Sequence, residues 1–213
     1  MAITSYSTLI SAAKTYLNRS DISDAQIQEF ISLAEASFNR VLRTRNQIKR
    51  STSSVSTQFV TMPSDLLELY NIQLNSDPIV RLEQVSLSAM DTLKSQSSTT
   101  GKPRYFAITG SDLEFYPTPD TSYTIEVIYY ATITPLSADA DPNFLITNHN
   151  DIYLFGTLVQ AEPWLMNDER IGVWGSFLGK AIEELRVSDE RSQTESGTIV
   201  MRAKRNLDYG GWK

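Results

Sequence analysis

Three stretches decide the fold: Arg104–Thr109 (RYFAIT), Leu113–Tyr116 (LEFY) and Tyr123–Ile133 (YTIEVIYYATI). All are dense in aromatic and β-branched residues, which pack well on a pleated surface, so each predicts a strand. Gly110-Ser111-Asp112 supplies a tight turn between the first two, and Pro117-Thr118-Pro119-Asp120 a turn before the third. Side chains alternate along a strand, so Tyr129 and Tyr130 face opposite sides: one packs inward and the other is left to meet a neighbour. Upstream, Val55–Met62, Leu66–Leu74 and Ile79–Val85 are further candidate strands, the first ended by Pro63. Strict alternation in Leu66–Leu74 sets Leu67, Leu69 and Asn71 opposite Glu68, Tyr70 and Ile72. Ser86 caps a short helix through Leu87, Met90 and Leu93, and Ser95–Lys102 reads as a loop. Residues 55–133 are therefore expected to be a small antiparallel β-domain.

On either side the apolar period lengthens to that of a helix. Tyr6, Leu9, Ile10, Ala13, Tyr16 and Leu17 fall on one helical face, with Thr4 or Ser5 as cap and Asn18-Arg19-Ser20 as breaker. Ser23 with Gln26 is a capping box. The stripe Ile27, Phe30, Ile31, Ala34, Phe38, Val41 and Leu42 follows, and this second helix is expected to run into Arg45–Lys49. Thr134–Asn148, with Pro135 and Pro142, reads as a loop. Asn148 or Asn150 opens a third helix carrying Ile152, Phe155, Leu158, Val159 and Leu165, its last turn kinked or shortened by Pro163. Ile171, Trp174, Leu178, Ala181, Ile182 and Leu185 mark a fourth, begun by Asp168-Glu169, acids that suit a helix N-terminus. From Arg191 the periodicity is lost. The expected fold class is α+β: a bundle of about four main helices (1–54 and 134–190), an antiparallel β-domain (55–133) inserted between the second and third, and an extended C-terminal tail (191–213).

Composition narrows the function. Hydrophobic residues make up 41% of the 213, enough to form a core. The formal charge is −6, the wrong sign for a protein that grips nucleic acid by its phosphates. The absence of cysteine removes disulfides, thiolate zinc sites, iron–sulfur clusters and cysteine nucleophiles. One histidine precludes a multi-histidine metal centre. With no apolar run of about 18 residues, no membrane span is expected. Met1–Ile10 lacks the basic and apolar regions of a secretory signal.

One series of segments carries a family likeness. Gly101-Lys102-Pro103-Arg104-Tyr105-Phe106-Ala107-Ile108 leads into Leu113-Glu114-Phe115-Tyr116-Pro117-Thr118-Pro119 and then Tyr123–Tyr130. Asp151–Leu158 follows, and last Asp168-Glu169-Arg170 with Trp174 and Phe177. In order and spacing, over about residues 100–185, this resembles the head-to-tail adaptor proteins of tailed bacteriophages, especially podovirus-like ring adaptors and tail tubular proteins. The resemblance implies a non-enzymatic virion protein at the head–tail junction, assembled from host cytoplasm and needing no cofactor. It implies a homo-oligomeric ring, commonly of twelve copies, under the portal protein. Such a ring continues the channel for double-stranded DNA without reading its sequence and offers a docking surface to tail or nozzle proteins. The bundle would build the ring wall and the C-terminal segment would reach the portal.

Several residues follow as candidates. The tail holds Arg202 and Arg205 beside Leu207, Tyr209 and Trp212, and arginine and aromatic side chains are favoured interface anchors. Arg40, Arg43, Arg45, Lys49 and Arg50 form the one dense basic run, which reads either as a face toward the DNA channel or portal, or as a solvated helix C-terminus complementing the macrodipole. Trp174 and Phe177 read as core or inter-subunit packing. Asp139, Asp141, His149 and Asp151 read as loop and cap chemistry, or as a metal-dependent hydrolytic centre. A β-rich binding module of a tail or host-recognition apparatus is the alternative function, and it requires an exposed aromatic groove.

Overall fold

The computed structural model describes residues 3–19, 21–97, 99–140, 142–165 and 168–193. In chain order these form α1 (Tyr6–Leu17), α2 (Asp24–Val41), a 3₁₀ turn (Arg45–Gln47), β1 (Ile48–Val55), β2 (Phe59–Thr61), β3 (Leu66–Leu74), β4 (Val80–Arg81), β5 (Glu83–Gln84), α3 (Leu87–Gln96), β6 (Tyr105–Thr109), β7 (Asp112–Tyr116), β8 (Tyr123–Ala131), α4 (Phe144–Asn148), α5 (Asn150–Leu165) and α6 (Asp168–Gln193). Among the described residues the class is α+β, with six helices and two mainly antiparallel sheets.

Local chemistry sets most helix starts. Ser5 caps α1 reciprocally with Thr8, Ser23 caps α2 with Gln26, and the Ser86 hydroxyl accepts from the Ala89 amide to open α3. Asn18, with φ of 53°, ends α1 in the left-handed conformation that asparagine tolerates. The second helix stops at Val41, short of the expected Arg45–Lys49. The Arg43 guanidinium donates to the carbonyls of Asn39 and Leu42 at 2.9 and 2.7 Å, and the Thr44 amide donates to Gln47 Oε1 at 2.9 Å. These bonds close the helix and turn the chain into β1. The serine- and threonine-rich segment that follows is therefore a strand, and the expected strand Val55–Met62 is replaced by the end of β1 and the short β2.

The sheets are ordered β1-β8-β3-β4 and β2-β7-β6-β5. The predicted hairpin forms: β6 and β7 pair from Tyr105↔Tyr116 to Thr109↔Asp112, around Gly110 at φ +63°. The expected strand Ile79–Val85 is divided. Leu82 donates its amide to Ile72 O in one sheet, and Glu83 donates its amide to Arg104 O in the other. β5 then pairs parallel with β6, so the sheets are not wholly antiparallel. Parallel neighbours need a long crossover, and α3 provides it, packing over β6 and β7. In β3 the ladder shifts between Leu66 and Glu68 and again between Leu69 and Asn71. Two bulges thus break the strict alternation: Leu66, Leu69, Ile72 and Leu74 join the core side, while Tyr70 is exposed.

Buried apolar residues fall into two clusters. One joins α1, α2, α4, α5 and α6 through Leu9, Ile27, Phe38, Leu145, Tyr153 and Leu185; the other joins both sheets through Val55, Ile72, Phe106, Phe115, Val127 and Tyr129. The segment expected as a loop, Thr134–Asn148, contains α4, because the Asn143 side chain accepts from the amides of Leu145 and Ile146. The stripe expected on α5 understates it. Tyr153, Leu154, Gly156, Thr157, Ala161 and Glu162 are buried as well, so this helix is enclosed on nearly all sides. Pro163 stands exposed in its last turn.

Gly156 lets α2 and α5 approach. A Cβ built there would fall inside contact distance of the Phe38 ring, whose edge stacks on Tyr153 at 5.4 Å between centroids. Beside it lies a buried polar chain. Tyr153 Oη donates to Glu35 Oε1 at 3.0 Å, Asn143 Nδ2 donates to Tyr153 Oη at 2.6 Å, and the Leu136 amide donates to Glu35 Oε1 at 2.7 Å. Burial pushes the Glu35 carboxyl above its ordinary range, against the lowering effect of those two donors. Burial, and then the Glu35 charge, hold the Tyr153 phenol up too.

Two outcomes follow. Gly156→Ala should destabilise the fold by about 1–3 kcal/mol, and Phe38→Leu in the same chain should recover part of that in denaturant melts. Glu35 has a raised native pKa, so its contribution is full below the ordinary glutamate range and is lost as pH rises through the native value. Glu35→Gln keeps an acceptor for both donors. The melting temperature of the unmodified chain should therefore fall relative to Glu35→Gln as pH rises above the ordinary glutamate range, and a pH-independent difference would contradict this.

Candidate functional site

The basic run does not form one surface. Lys49 and Arg50 are consecutive on β1 and point to opposite sides of the sheet. Four of the five cations meet acids from four separate places. Arg43 Nε pairs with Glu68 of β3 at 2.8 Å, Arg45 Nε with Asp189 of α6 at 3.7 Å, Lys49 Nζ with Asp65 at 2.7 Å, and Arg50 Nε with Glu126 of β8 at 3.3 Å. The Arg45 amide also donates to the buried Asp189 carboxylate. The Lys49 ammonium, with the Tyr129 hydroxyl, holds the Asp65 carboxyl below the usual range; burial and Asp65 push Tyr129 up to about 12. Arg40 is exposed and makes no ion pair among the described residues. Arg43 thus ties the end of α2 to β3, Arg45 ties the 3₁₀ turn to α6, and Lys49 and Arg50 tie β1 to its neighbours.

A second basic cluster is visible only in three dimensions. The β4–β5 switch brings Arg81 and Glu83 beside Lys102, Pro103 and Arg104, and these line a shallow cleft. Arg81 and Arg104 are exposed, and Lys102 Nζ donates to Ser76 Oγ at 2.8 Å. Among the described residues none of these three cations is in an ion pair. Lys102 was readable as the end of a loop and Arg104 as the start of a strand; Arg81 lies too far along the sequence for a charge run to join it to them.

Aromatic side chains gather at α6. Trp174 and Phe177 both stack on Phe155, at 6.1 and 5.4 Å, and Tyr16 meets Trp174 edge-on at 6.2 Å. Trp174 Nε1 donates to Glu162 Oε1 at 3.0 Å. Trp174 is half-buried, whereas Phe177 is 47% exposed. On the sheet, Tyr129 packs into the core and Tyr130 faces out, edge-on to Tyr70 at 6.1 Å. The fourth helix starts at Asp168 as expected, but it continues through Gln193, past the expected tail boundary at 191. The tail candidates Arg202, Arg205, Leu207, Tyr209 and Trp212 lie outside the described residues.

Asp139, His149 and Asp151 are not brought together. The Ser7 amide and hydroxyl each donate to Asp139 at 2.7 Å, which holds its carboxyl below the usual range. His149 ends α4, and Asp151 sits in the first turn of α5. Asp141 lies outside the described residues. Among the described residues no group of three histidine or acidic side chains is placed to hold a metal ion, and no helix is long and apolar enough to cross a membrane.

No curated protein matches the sequence. The family described as SU10 adaptor protein matches it over residues 4–202, which takes in both the helical cluster and the two sheets. The head-to-tail adaptor resemblance and this match agree, and the chain belongs to the SU10 adaptor protein family, structural adaptors of bacteriophage virions.

Proposed function

We propose that this chain is a non-enzymatic ring adaptor at the head–tail junction, seated between the portal protein and the tail or nozzle proteins. The family match over residues 4–202 carries the reading, because it spans nearly the whole chain rather than one motif. In this reading the helices of 1–54 and 134–190 are a bundle that builds the ring wall. The two sheets, from β1 at Ile48 to β8 at Ala131, are a β-domain inserted between α2 and α5 and directed at the tail. The tail, with Arg202, Arg205, Leu207, Tyr209 and Trp212, grips the portal. Twelve copies, each with a formal charge of −6, line or surround a channel whose negative potential repels DNA phosphates and lets the genome slide. Arg40 and the Arg81–Lys102–Arg104 cleft offer exposed cations to an acidic partner surface.

Negative-stain imaging of the chain mixed with the portal of its own phage tests this. A new ring layer is expected on the portal, and it should disappear when residues 194–213 are removed. A folded chain that adds no layer at micromolar concentration would overturn portal docking. It would favour the β-rich binding module, for which exposed Tyr70, edge-on to the half-buried Tyr130, offers an aromatic surface.

A further inference from the structure

The 26-residue helix α6 packs on α5 along one side; its first half leaves two flanks open, and further on Arg186 and Glu190 line a cleft with Val41 and Arg43. At about 100° per residue, Leu178, Ala181, Ile182 and Leu185 mark the inward side. Gly172, Gly175 and Gly179 fall on one flank; Val173 and Phe177 fall on the other, with Gly175 and Phe177 about 160° apart around the axis. A Cβ added at any of these three glycines meets nothing within 4 Å, and none has a positive φ. Nothing described within the protomer therefore requires glycine there, although glycine weakens a helix interior relative to alanine. On the opposite flank Val173 is 48% and Phe177 47% exposed, large apolar groups left in solvent.

Charge divides along the same line. On the Phe177 flank Lys180 pairs with Glu184 at 3.8 Å and Arg191 adds a positive charge; on the glycine flank Arg186 pairs with Glu183 at 3.7 Å and Glu190 adds a negative one, and all six are exposed. One flank is bulky and net positive. The other is hollow and net negative. A ring closes only if each copy presents two different, complementary surfaces.

We propose that α6 is the ring's self-contact: Val173 and Phe177 of one copy seat on the Gly172–Gly175–Gly179 flank of α6 in the next. This rests on the ring reading and names the surface that makes the ring. Two α6 helices lying parallel at the same level bring the Arg191 end of one flank opposite the Glu190 end of the other. The missing side chains let the helices approach closely enough for Phe177 to be buried.

The chain has no cysteine, so introduced thiols report cleanly. Val173→Cys together with Gly175→Cys places two thiols on opposite flanks, where they cannot bond within one helix but meet between copies. Oxidised on the portal, this variant should give a covalent ladder of multimers, and either single-cysteine variant should give none. Gly172→Leu with Gly179→Leu fills the hollow flank. That variant should melt at or above the parent temperature and lose ring formation, and Phe177→Ala should weaken assembly about tenfold. A ring layer on the portal without a ladder would overturn the α6 contact and leave the ring reading standing. A folded parent chain that forms no ring would remove both.

Discussion

The close approach of α2 to α5, made possible by the missing side chain at Gly156, is the constraint on which the rest of the helical half depends. Phe38 fills the space a Cβ would take and turns its ring against Tyr153. That places the Tyr153 hydroxyl within reach of Glu35 and Asn143, and Asn143 in turn caps α4. A packing decision at one glycine is thereby passed to the loop that returns from the sheets, because Glu35 also takes the Leu136 amide. Buried polar groups in such a chain satisfy one another or none of them is tolerable, so the set specifies one arrangement of α2, α4 and α5.

The join between helices and sheets uses a different kind of interaction. Arg43, Arg45, Lys49 and Arg50 reach acids on β3, α6, the turn at Asp65 and β8. The two solvated pairs, Arg43–Glu68 and Lys49–Asp65, contribute little each, about 0–1 kcal/mol, whereas Asp189 and Glu126 are buried acids that Arg45 and Arg50 partner. A contiguous basic run thus becomes four separate fastenings. Conversely, Arg81, Lys102 and Arg104 are scattered in the chain and assembled by topology.

Much of the fold was legible where a local rule operates. The caps at Ser5, Ser23 and Ser86, the Gly110 turn and the strands around it depend on residues within a few positions of one another. What was not legible depends on partners far away. The bulges in β3 are defined by register against β8, and the enclosure of α5 by helices from both ends of the chain. The early end of α2 required Arg43 and Gln47 to be seen capping rather than continuing a basic helix. The likeness to head-to-tail adaptors was legible in the order of short segments; the aromatic gathering of Tyr16, Phe155, Trp174 and Phe177 was legible only as separate apolar positions on three helices.

The two strands that carry the chain between helices and sheets, β1 and β8, are neighbours along their whole common length, from Ile48↔Tyr130 to Val55↔Tyr123. Both leave for the helical side at the same end, where Gln47 Nε2 also donates to Ala131 O at 3.3 Å. The waist of the molecule is therefore a two-ply strap. A pull along it is shared by two covalent strands that have no reason to slide past each other. A twist that parts Ile48 from Tyr130 instead opens the ladder one rung at a time. The protein is built to bear tension between its halves and to yield first under torsion.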